Sequence, residues 1–385
     1  MVYRIKIIIL KLIVALIKLI YAPIKLLPIR NKVVFISRQS NKATIDIEYI
    51  DKCIKRKYPG IKSVVLTKTL TLSLIGIFSY CLEFVRQMCH MATSKVVVLD
   101  GYCIAACVLR HKKNVKIIQM WHALGAIKKF GYQTVDKPSG HKAEIAEIMS
   151  MHKNYDFVLC SSKATGAFFK EAFNIKEEQL KYIGLPRIDY IASNDERIAA
   201  EIIDWYGINA NKEIILYAPT FRKGKQIELM NLLQRMDFSR FILVVKLHPL
   251  DDIDIDIDDV EPFVRENIIL DKKYSAYQWM NVCDKIITDY SALGIEASLK
   301  NKPIYFYIYD YDSYEKNVGL NIDLKTEMEE YALETVEELY SKLIQEYDFL
   351  LLNKFREKYI TVSTERCTER VAEFIKALVE ECVSE

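Results

Sequence analysis

The chain has 385 residues, a length typical of two domains, and 51% of its residues are hydrophobic, which excludes a disordered protein. Its net charge of +3 is unevenly distributed, because residues 1–32 hold seven lysines and arginines and no acid, so the remainder carries −4. A nearly neutral body argues against nucleic acid as the main partner. A basic and apolar N-terminus predicts contact with an anionic membrane surface.

The N-terminal segment, residues 1–30, predicts an amphipathic helix that associates with a membrane. Its cations recur every seven residues and would form one stripe, opposite an arc of isoleucine and leucine: Arg4, Lys11, Lys18 and Lys25. Such a helix suits the bilayer interface, which predicts a peripheral protein on the cytoplasmic face of the cell membrane. A single membrane span and a plain helix packed on the body are the alternatives. A second apolar stretch, residues 70–85, is interpreted as a surface helix at the same contact.

No metal and no cofactor are expected. The nine cysteines form no CxxC pair and mostly lie in apolar runs, which indicates buried, reduced thiols in a cytoplasmic body. The acidic run at residues 251–259 alternates with isoleucine and lacks the glycine of a calcium loop, so we interpret it as a solvated loop. No GxGxxG motif follows an expected strand, which argues against a dinucleotide cofactor.

After residue 31 the chain alternates between strand-like and helical segments, which predicts parallel, doubly wound sheets. The expected strands are residues 33–37, 63–66, 95–100, 115–120 and 157–161 in the first half, and 213–218, 241–246, 267–270, 285–288 and 303–307 in the second. We therefore expect an α/β protein of the GT-B class, in which two Rossmann-like domains, residues 31–190 for the acceptor and 191–385 for the donor, face a cleft. The helical run at residues 332–384 is assigned to the second domain, with a return to the first left open.

One histidine stands where a ligand would bind. His122 follows the apolar strand 115–120 and precedes Gly125 and Lys128, and the carboxyl ends of strands in open α/β sheets open into ligand-binding crevices. A lone histidine is more often a core or capping residue, and this interpretation competes with that of a catalytic base.

Polar side chains also follow three expected strands of the second half. They are cationic, hydroxylic or acidic: Arg222, Lys246, His248, Ser291 and Glu296. The three cations could neutralise a diphosphate without a metal, while the hydroxyl at a helix start could bind an anion and the glutamate could accept hydrogen bonds from a ribose. Each residue alone is as easily a surface cation, a salt-bridge partner, a helix cap or a surface acid. Their recurrence at strand ends favours a binding site.

These residues resemble the CDP-glycerol glycerophosphotransferases of teichoic acid and related polymer synthesis, which are peripheral membrane enzymes with a GT-B fold. Six segments carry the resemblance in the family's order: 121–128 (WHALGAIK), 184–189 (GLPRID), 217–222 (YAPTFR), 246–249 (KLHP), 288–291 (TDYS) and 302–310 (KPIYFYIYD). The resemblance implies that His122 is the catalytic base. It also implies a CDP-alditol site lined by Gly125, Lys128, Arg187, Thr220, Phe221, Arg222, Lys246, His248, Ser291 and Glu296. Where the family commonly has Ser-Ser and Asp, this chain has Ser291-Ala292 and Glu296.

The implied activity is transfer of an alditol phosphate from CDP-glycerol or CDP-ribitol to a hydroxyl of a lipid-linked acceptor, with release of CMP. The implied partners are the CDP-alditol, a polyprenyl-diphosphate-linked saccharide or a polyol-phosphate chain, and the anionic membrane surface. Three alternatives share the fold: a glycosyltransferase that uses a nucleotide sugar, a nucleotide-sugar epimerase, and a non-catalytic membrane scaffold. The sequence leaves open glycerol against ribitol, primase against polymerase, and the oligomeric state, a homo-oligomer included.

Overall fold

The computed structural model describes residues 2–209, 211–220, 227–247 and 260–381. The chain forms two compact units. Unit 1 comprises Met1–Leu124, Lys129–Tyr190 and Ile360–Glu385, and unit 2 comprises Gly125–Lys128 and Ile191–Tyr359.

Each unit contains a sheet of six strands. Those of unit 1 are β1 (Arg30–Ser37), β2 (Lys62–Thr67), β3 (Ser94–Leu99), β4 (Lys116–Gln119), β5 (Phe157–Leu159) and β6 (Leu180–Lys181). Those of unit 2 are β7 (Glu213–Tyr217), β8 (Phe241–Val245), β9 (Ile268–Leu270), β10 (Lys285–Thr288), β11 (Ile304–Tyr307) and β12 (Ala332–Leu333). The strand order is β2-β1-β3-β4-β5-β6 in unit 1 and β12-β11-β10-β7-β8-β9 in unit 2, and all the pairings are parallel.

Helices alternate with these strands. They are α1 (Val2–Ile24), α2 (Ile45–Lys57), α3 (Leu74–Ala92), α4 (Ile104–Val108), α5 (Ala143–Ile148), α6 (Lys163–Phe173), α7 (Pro186–Ala192), α8 (Glu196–Tyr206), α9 (Ile227–Arg235), α10 (Pro262–Arg265), α11 (Ala276–Trp279), α12 (Leu293–Ala297), α13 (Tyr311–Asn317), α14 (Leu324–Glu327), α15 (Val336–Leu343), α16 (Phe349–Tyr359) and α17 (Cys367–Glu381).

The predicted α/β fold with two parallel sheets is confirmed. The strands could be recognised in the sequence because they are buried. Every residue of β3 is buried, and a parallel sheet covered on both faces is expected to have unbroken apolar strands. All ten expected strands are present. The two that the sequence analysis missed, β6 and β12, have only two residues each, too few to show a pattern.

The last helix returns to unit 1, although the sequence analysis assigned residues 191–385 to the second domain. α17 packs on α2 and on the sheet of unit 1. The Asp189 carboxylate accepts hydrogen bonds from the backbone N–H groups of Cys367 and Thr368, at 2.8 and 2.7 Å, and from the Thr368 hydroxyl at 2.6 Å. A carboxylate at a helix N-terminus stabilises the helix. Asp189 thus fixes the start of α17, which explains the acid in the 184–189 segment.

α1 packs on unit 1 by one narrow face. Its buried residues are Ile7, Val14 and Tyr21, spaced by seven. Most of the other apolar side chains of the helix are exposed, among them Ile5, Ile8, Ile9, Leu12, Ile13, Leu16, Leu19 and Ile20. The helix contacts α3, whose Ile75, Phe78 and Leu82 are also exposed. The packed face agrees with the plain-helix interpretation, but it leaves most of the apolar surface uncovered.

Candidate active site

His122 lies just after β4, in a loop fixed by aromatic packing. Trp121 has a φ of 62°, in the left-handed region that residues other than glycine rarely adopt. Its indole stacks on Phe130 with 4.6 Å between ring centroids, and the His122 ring lies 4.1 Å away. Phe173 packs edge-on against the same indole at 5.3 Å. The packed indole supports the ring of His122, which is exposed.

A backbone carbonyl orients the His122 ring. Its Nδ1 lies 3.2 Å from the carbonyl oxygen of Asp100, which follows β3, and 3.2 Å from the side-chain amide of Gln39, which follows β1. The Asp100 carbonyl oxygen can only accept, which requires a proton on Nδ1, whereas the amide nitrogen of Gln39 can only donate, which requires a lone pair there. A side-chain amide can turn to present its oxygen and a backbone carbonyl cannot change its role, so we assign the ring proton to Nδ1, and Nε2 keeps its lone pair. Nε2 of this tautomer can accept a proton, as a general base must. Because β1, β3 and β4 are neighbours in the sheet, their ends bring these three residues together.

A buried ion pair holds the same loop. Arg187, at the start of α7, donates from Nη1 to the carbonyl oxygen of His122 at 2.6 Å. Its backbone N–H and Nε donate to the Asp46 carboxylate at 2.8 Å each, and Nη2 completes the ion pair. The two side chains are only 6% and 0% exposed. The structure therefore places Arg187, which the sequence analysis assigned to the donor, in a contact that positions His122.

Asp100 should make the stability of unit 1 depend on pH. Burial raises its pKa to about 6, against hydrogen bonds from Ser37 and Thr44 that lower it. Because the folded pKa exceeds the unfolded value, protonation of Asp100 favours the folded state. This contribution to stability is complete below about pH 4 and is lost as the pH rises through 6. Asp100→Asn removes the titration, so the variant should gain about 2 kcal/mol relative to wild type between pH 4.5 and pH 7. Unfolding in urea at the two pH values measures this gain. Ser139→Ala, at an exposed residue of unit 1 that carries no ionisable group, should show a constant difference. A constant difference for Asp100→Asn would contradict the expectation.

Gly125 and Lys128 belong to unit 2 rather than to the unit that holds His122. Asn321 donates from its backbone N–H to the Ile127 carbonyl at 2.7 Å, and from Nδ2 to the Lys128 carbonyl at 3.1 Å. Lys128 also bridges to Leu320. The segment that follows His122 is thus anchored by its backbone.

At the strand ends of unit 2, Thr220 and Asp289 form a buried cluster. Thr220 follows β7 and donates to Asp289 Oδ1 from its N–H at 2.8 Å and from its hydroxyl at 2.6 Å. Asp289 follows β10, the neighbour of β7, and the hydroxyl of Thr288 donates to the Ala218 carbonyl at 2.8 Å. The structure brings these two strand ends together, as the sequence pattern predicts.

Lys246 follows β8 but is already paired with an acid. Its Nζ donates to the backbone carbonyl of Asp271 at 2.6 Å and to the carboxylate at 3.0 Å. Burial alone would raise the pKa of Asp271, but hydrogen bonds from Tyr206, Trp279 and Lys246 hold it below its usual value. The Asp271 carboxylate therefore balances the charge of Lys246. To bind a diphosphate, Lys246 would have to contact it in addition to Asp271.

Two further predicted donor residues are engaged within unit 2. Ser291 is half-buried, and its hydroxyl oxygen accepts from the Leu293 N–H at 3.3 Å, in the turn before α12. Glu296 is 2% exposed and accepts from the Tyr277 hydroxyl at 2.6 Å. Glu296 is therefore less accessible than a ribose-binding carboxylate on a helix surface would be. Phe221, Arg222 and His248 lie outside the described residues.

Four acidic or amide residues of this network were not predicted from the sequence. They are Gln39, Asp46, Asp100 and Asp271. Three of them carried a usable signal, because Gln39, Asp100 and Asp271 follow strands just as His122 does. Asp46 carried none, since its partner Arg187 lies 141 residues away in the chain. Within the described ranges, no group of three or more histidine, cysteine or acidic side chains could hold a metal ion.

Two parallel α/β sheets with polar residues at their strand ends define the class of GT-B-like proteins. The family model described as CDP-Glycerol:Poly(glycerophosphate) glycerophosphotransferase matches residues 20–377, and the chain belongs to this family. The resemblance inferred from the six sequence segments is thereby confirmed.

Named relatives agree with this assignment. The chain is 29% identical over 375 residues to the teichoic acid ribitol-phosphate primase of Bacillus spizizenii, a match that covers 92% of this chain and 93% of that protein. It is 32% identical over 302 residues to the teichoic acid glycerol-phosphate primase of Staphylococcus aureus, covering 77% of each. A structure of the wall teichoic acid polymerase TagF has the same fold, with a TM-score of 0.75, 16% identity and full coverage of both chains.

Proposed function

We propose that the protein transfers glycerol phosphate or ribitol phosphate from a CDP-alditol to a hydroxyl of a membrane lipid-linked acceptor, with release of CMP, in the synthesis of teichoic acid or a related surface polymer. Membership of the family over residues 20–377 supports this reaction class. The observation that carries the mechanism is the hydrogen bond between His122 Nδ1 and the Asp100 carbonyl, because it leaves Nε2 able to take a proton.

In the proposed step, the acceptor hydroxyl attacks the phosphorus that bears the alditol. A new P–O bond forms to the acceptor oxygen, the P–O bond to CMP breaks, and the hydroxyl proton passes to His122 Nε2. The Arg187 contact with the His122 carbonyl would keep the base in place. Phosphoryl transfer depends mainly on positioning and on electrostatic stabilisation of the leaving group. We assign the latter to the donor residues Arg222, His248 and Ser291 that the family motifs mark, and the lining of the donor site to Thr220 and Phe221.

A donor comparison tests this function. CMP release should be measured from CDP-glycerol and from CDP-ribitol, each with and without a soluble analogue of the lipid-linked acceptor. We expect release from one donor, dependent on the acceptor, since the family transfers alditol phosphate. UDP-sugars serve as the control for a glycosyltransferase. Transfer from a UDP-sugar together with silence on both CDP-alditols would overturn the proposal, and binding of a CDP-alditol without turnover would favour the scaffold.

We further propose that α1 and α3 attach the protein to the cytoplasmic face of the membrane. Among the described residues, α1 is the one helix whose length and composition suit a membrane span. Its exposed isoleucines and leucines are continuous with the exposed apolar residues of α3. The eight cysteines of the described ranges are free, in keeping with a cytoplasmic location.

Removing apolar side chains from the exposed face of α1 should release the protein from vesicles. We expect the triple substitution Ile5→Ser, Leu12→Ser and Leu19→Ser to weaken sedimentation with phosphatidylglycerol vesicles at least tenfold, because burying each such side chain is worth about 1.5–3 kcal/mol. The matched control changes three exposed apolar residues of unit 2 to serine: Ile203, Ile344 and Leu350. Equal binding by both triple variants would refute attachment through α1. With the protein bound to sealed vesicles, protease added outside should cleave an N-terminal tag if α1 lies on one face of the bilayer. A tag protected from the protease would instead indicate that α1 spans the bilayer.

A further inference from the structure

Unit 1 has a cavity of about 510 Å³ beside the C-terminal half of α1. Lys18 lines it from α1 and Lys25 from the turn that follows this helix, and Arg110 and Lys153 line it from the body of the unit. None of the described residues that line it is acidic. Four cations around one cavity produce a positive potential, which favours the binding of an anion.

The four cations are not balanced by neighbouring acids. Within the described part of the chain, none of their side chains forms an ion pair or a hydrogen bond. Lys11, on the same helix but outside the cavity, lies 3.9 Å from Glu144. Because like charges repel, an anion that enters between these cations would be bound favourably.

The helix side of the cavity is fixed by Tyr21, one helical turn from Lys18 and from Lys25. The Tyr21 hydroxyl donates to His111 Nδ1 at 3.0 Å, and His111 Nε2 donates to the Ala106 carbonyl at 2.9 Å. Burial lowers the pKa of His111, and the Lys25 charge lowers it further. The neutral ring that both hydrogen bonds require is therefore the stable form at pH 7.

The opposite wall is a turn with a constrained backbone. Ser150, His152 and Asn154 have φ values of 47°, 56° and 71°. The Asn154 side-chain nitrogen lies 2.9–3.0 Å from the carbonyl oxygens at the end of α4, those of Ala106, Cys107 and Leu109. Such conformations persist where the surrounding structure enforces them. Both walls are thus in place before a ligand binds.

The same turn also packs near Trp121, the residue that supports the ring of His122. The ring centroid of His152 lies 6.1 Å from that of Trp121, which lies 4.1 Å from that of His122. One indole separates the turn from His122. A lipid headgroup in the cavity would have its tail beside the exposed apolar face of α1, with the catalytic loop of the same unit nearby.

We propose that this cavity binds the diphosphate of the lipid-linked acceptor. A diphosphate diester carries twice the charge of a phospholipid phosphodiester, and so balances four cations better. That the ligand is the acceptor rests on the proposed function, whereas the presence of an anion site rests on the cavity alone.

The test compares wild type with the double charge reversal Arg110→Glu and Lys153→Glu in the full-length protein. KM is measured for a lipid-diphosphate saccharide acceptor and for the same saccharide without the diphosphate. We expect the ratio of the first KM to the second to rise at least tenfold in the variant. Lys137→Glu, an exposed lysine of unit 1 outside the cavity, should leave the ratio at its wild-type value. The milder pair Arg110→Ala and Lys153→Ala should shift the ratio in the same direction, and guards against misfolding of the charge reversal.

An unchanged ratio overturns the proposal. An unchanged ratio with weaker binding to phosphatidylglycerol vesicles would assign the cavity to a bilayer phospholipid instead. Calorimetric titration with inorganic pyrophosphate gives a readout independent of turnover, and the double charge reversal should weaken its binding about tenfold. If wild type transferred no alditol phosphate, the proposed function would fail, but the titration would still test the anion site. Equal pyrophosphate affinity of wild type and the double charge reversal would then show that the cavity is not an anion site.

Discussion

Replacing His122 with alanine should lower the turnover number for CMP release by about 10²–10⁴, the usual contribution of a general base. The KM for the CDP-alditol should change little, because the base acts on the acceptor hydroxyl rather than on the nucleotide. Steady-state kinetics with saturating acceptor measures both constants. The expectation follows from the Asp100 carbonyl, which places the ring proton on Nδ1 and the lone pair on Nε2.

Two controls separate lost chemistry from lost structure. His141→Ala removes an exposed histidine of unit 1 outside the network and should leave turnover unchanged. Added imidazole should restore part of the rate of His122→Ala, because a small base can enter the space left by the ring. Full turnover by His122→Ala would remove this residue from the mechanism, and a damaged fold without imidazole rescue would assign it a structural role.

The sheets could be predicted because burial leaves a direct mark on the sequence. β3 reads as an unbroken apolar run since both faces of its sheet are covered. The destination of α17 could not be predicted in the same way. An amphipathic helix shows that it packs on something, but the partner sheet is chosen by contacts such as that between Asp189 and Thr368, which are 179 residues apart.

In the site as well, the sequence indicates where a residue lies but not which residue it contacts. Strand ends marked His122 and Thr220, because residues there emerge at one edge of a sheet. Charge alone did not reveal the contacts of Arg187, which was expected to line the donor site, or of Lys246, which was expected to hold the donor's diphosphate. Their acids, Asp46 and Asp271, lie 141 and 25 residues away in the chain. The sequence shows that a lysine or arginine is present, whereas only the fold shows which carboxylate it contacts.

The ion pair of Asp46 with Arg187 should have the largest effect on stability. Asp46→Ala would leave the Arg187 guanidinium, 6% exposed, without its carboxylate. Removing one partner of a buried ion pair costs about 3–5 kcal/mol. Urea unfolding, followed by the fluorescence of Trp121 in a protein whose other tryptophans are replaced, measures this loss for unit 1. Glu48→Ala breaks the exposed pair with Lys52 and should cost under about 1 kcal/mol.

The double variant Asp46→Ala and Arg187→Met separates stability from positioning. Replacing both charges by apolar groups should recover most of the lost stability, because no buried charge remains unpaired. Turnover should nevertheless stay low, since methionine cannot donate to the His122 carbonyl as Arg187 Nη1 does at 2.6 Å. Recovery of turnover together with stability would show that the ion pair only supports the fold. Recovery of stability alone would show that Arg187 acts through His122, and that a residue first assigned to the donor holds the base in place.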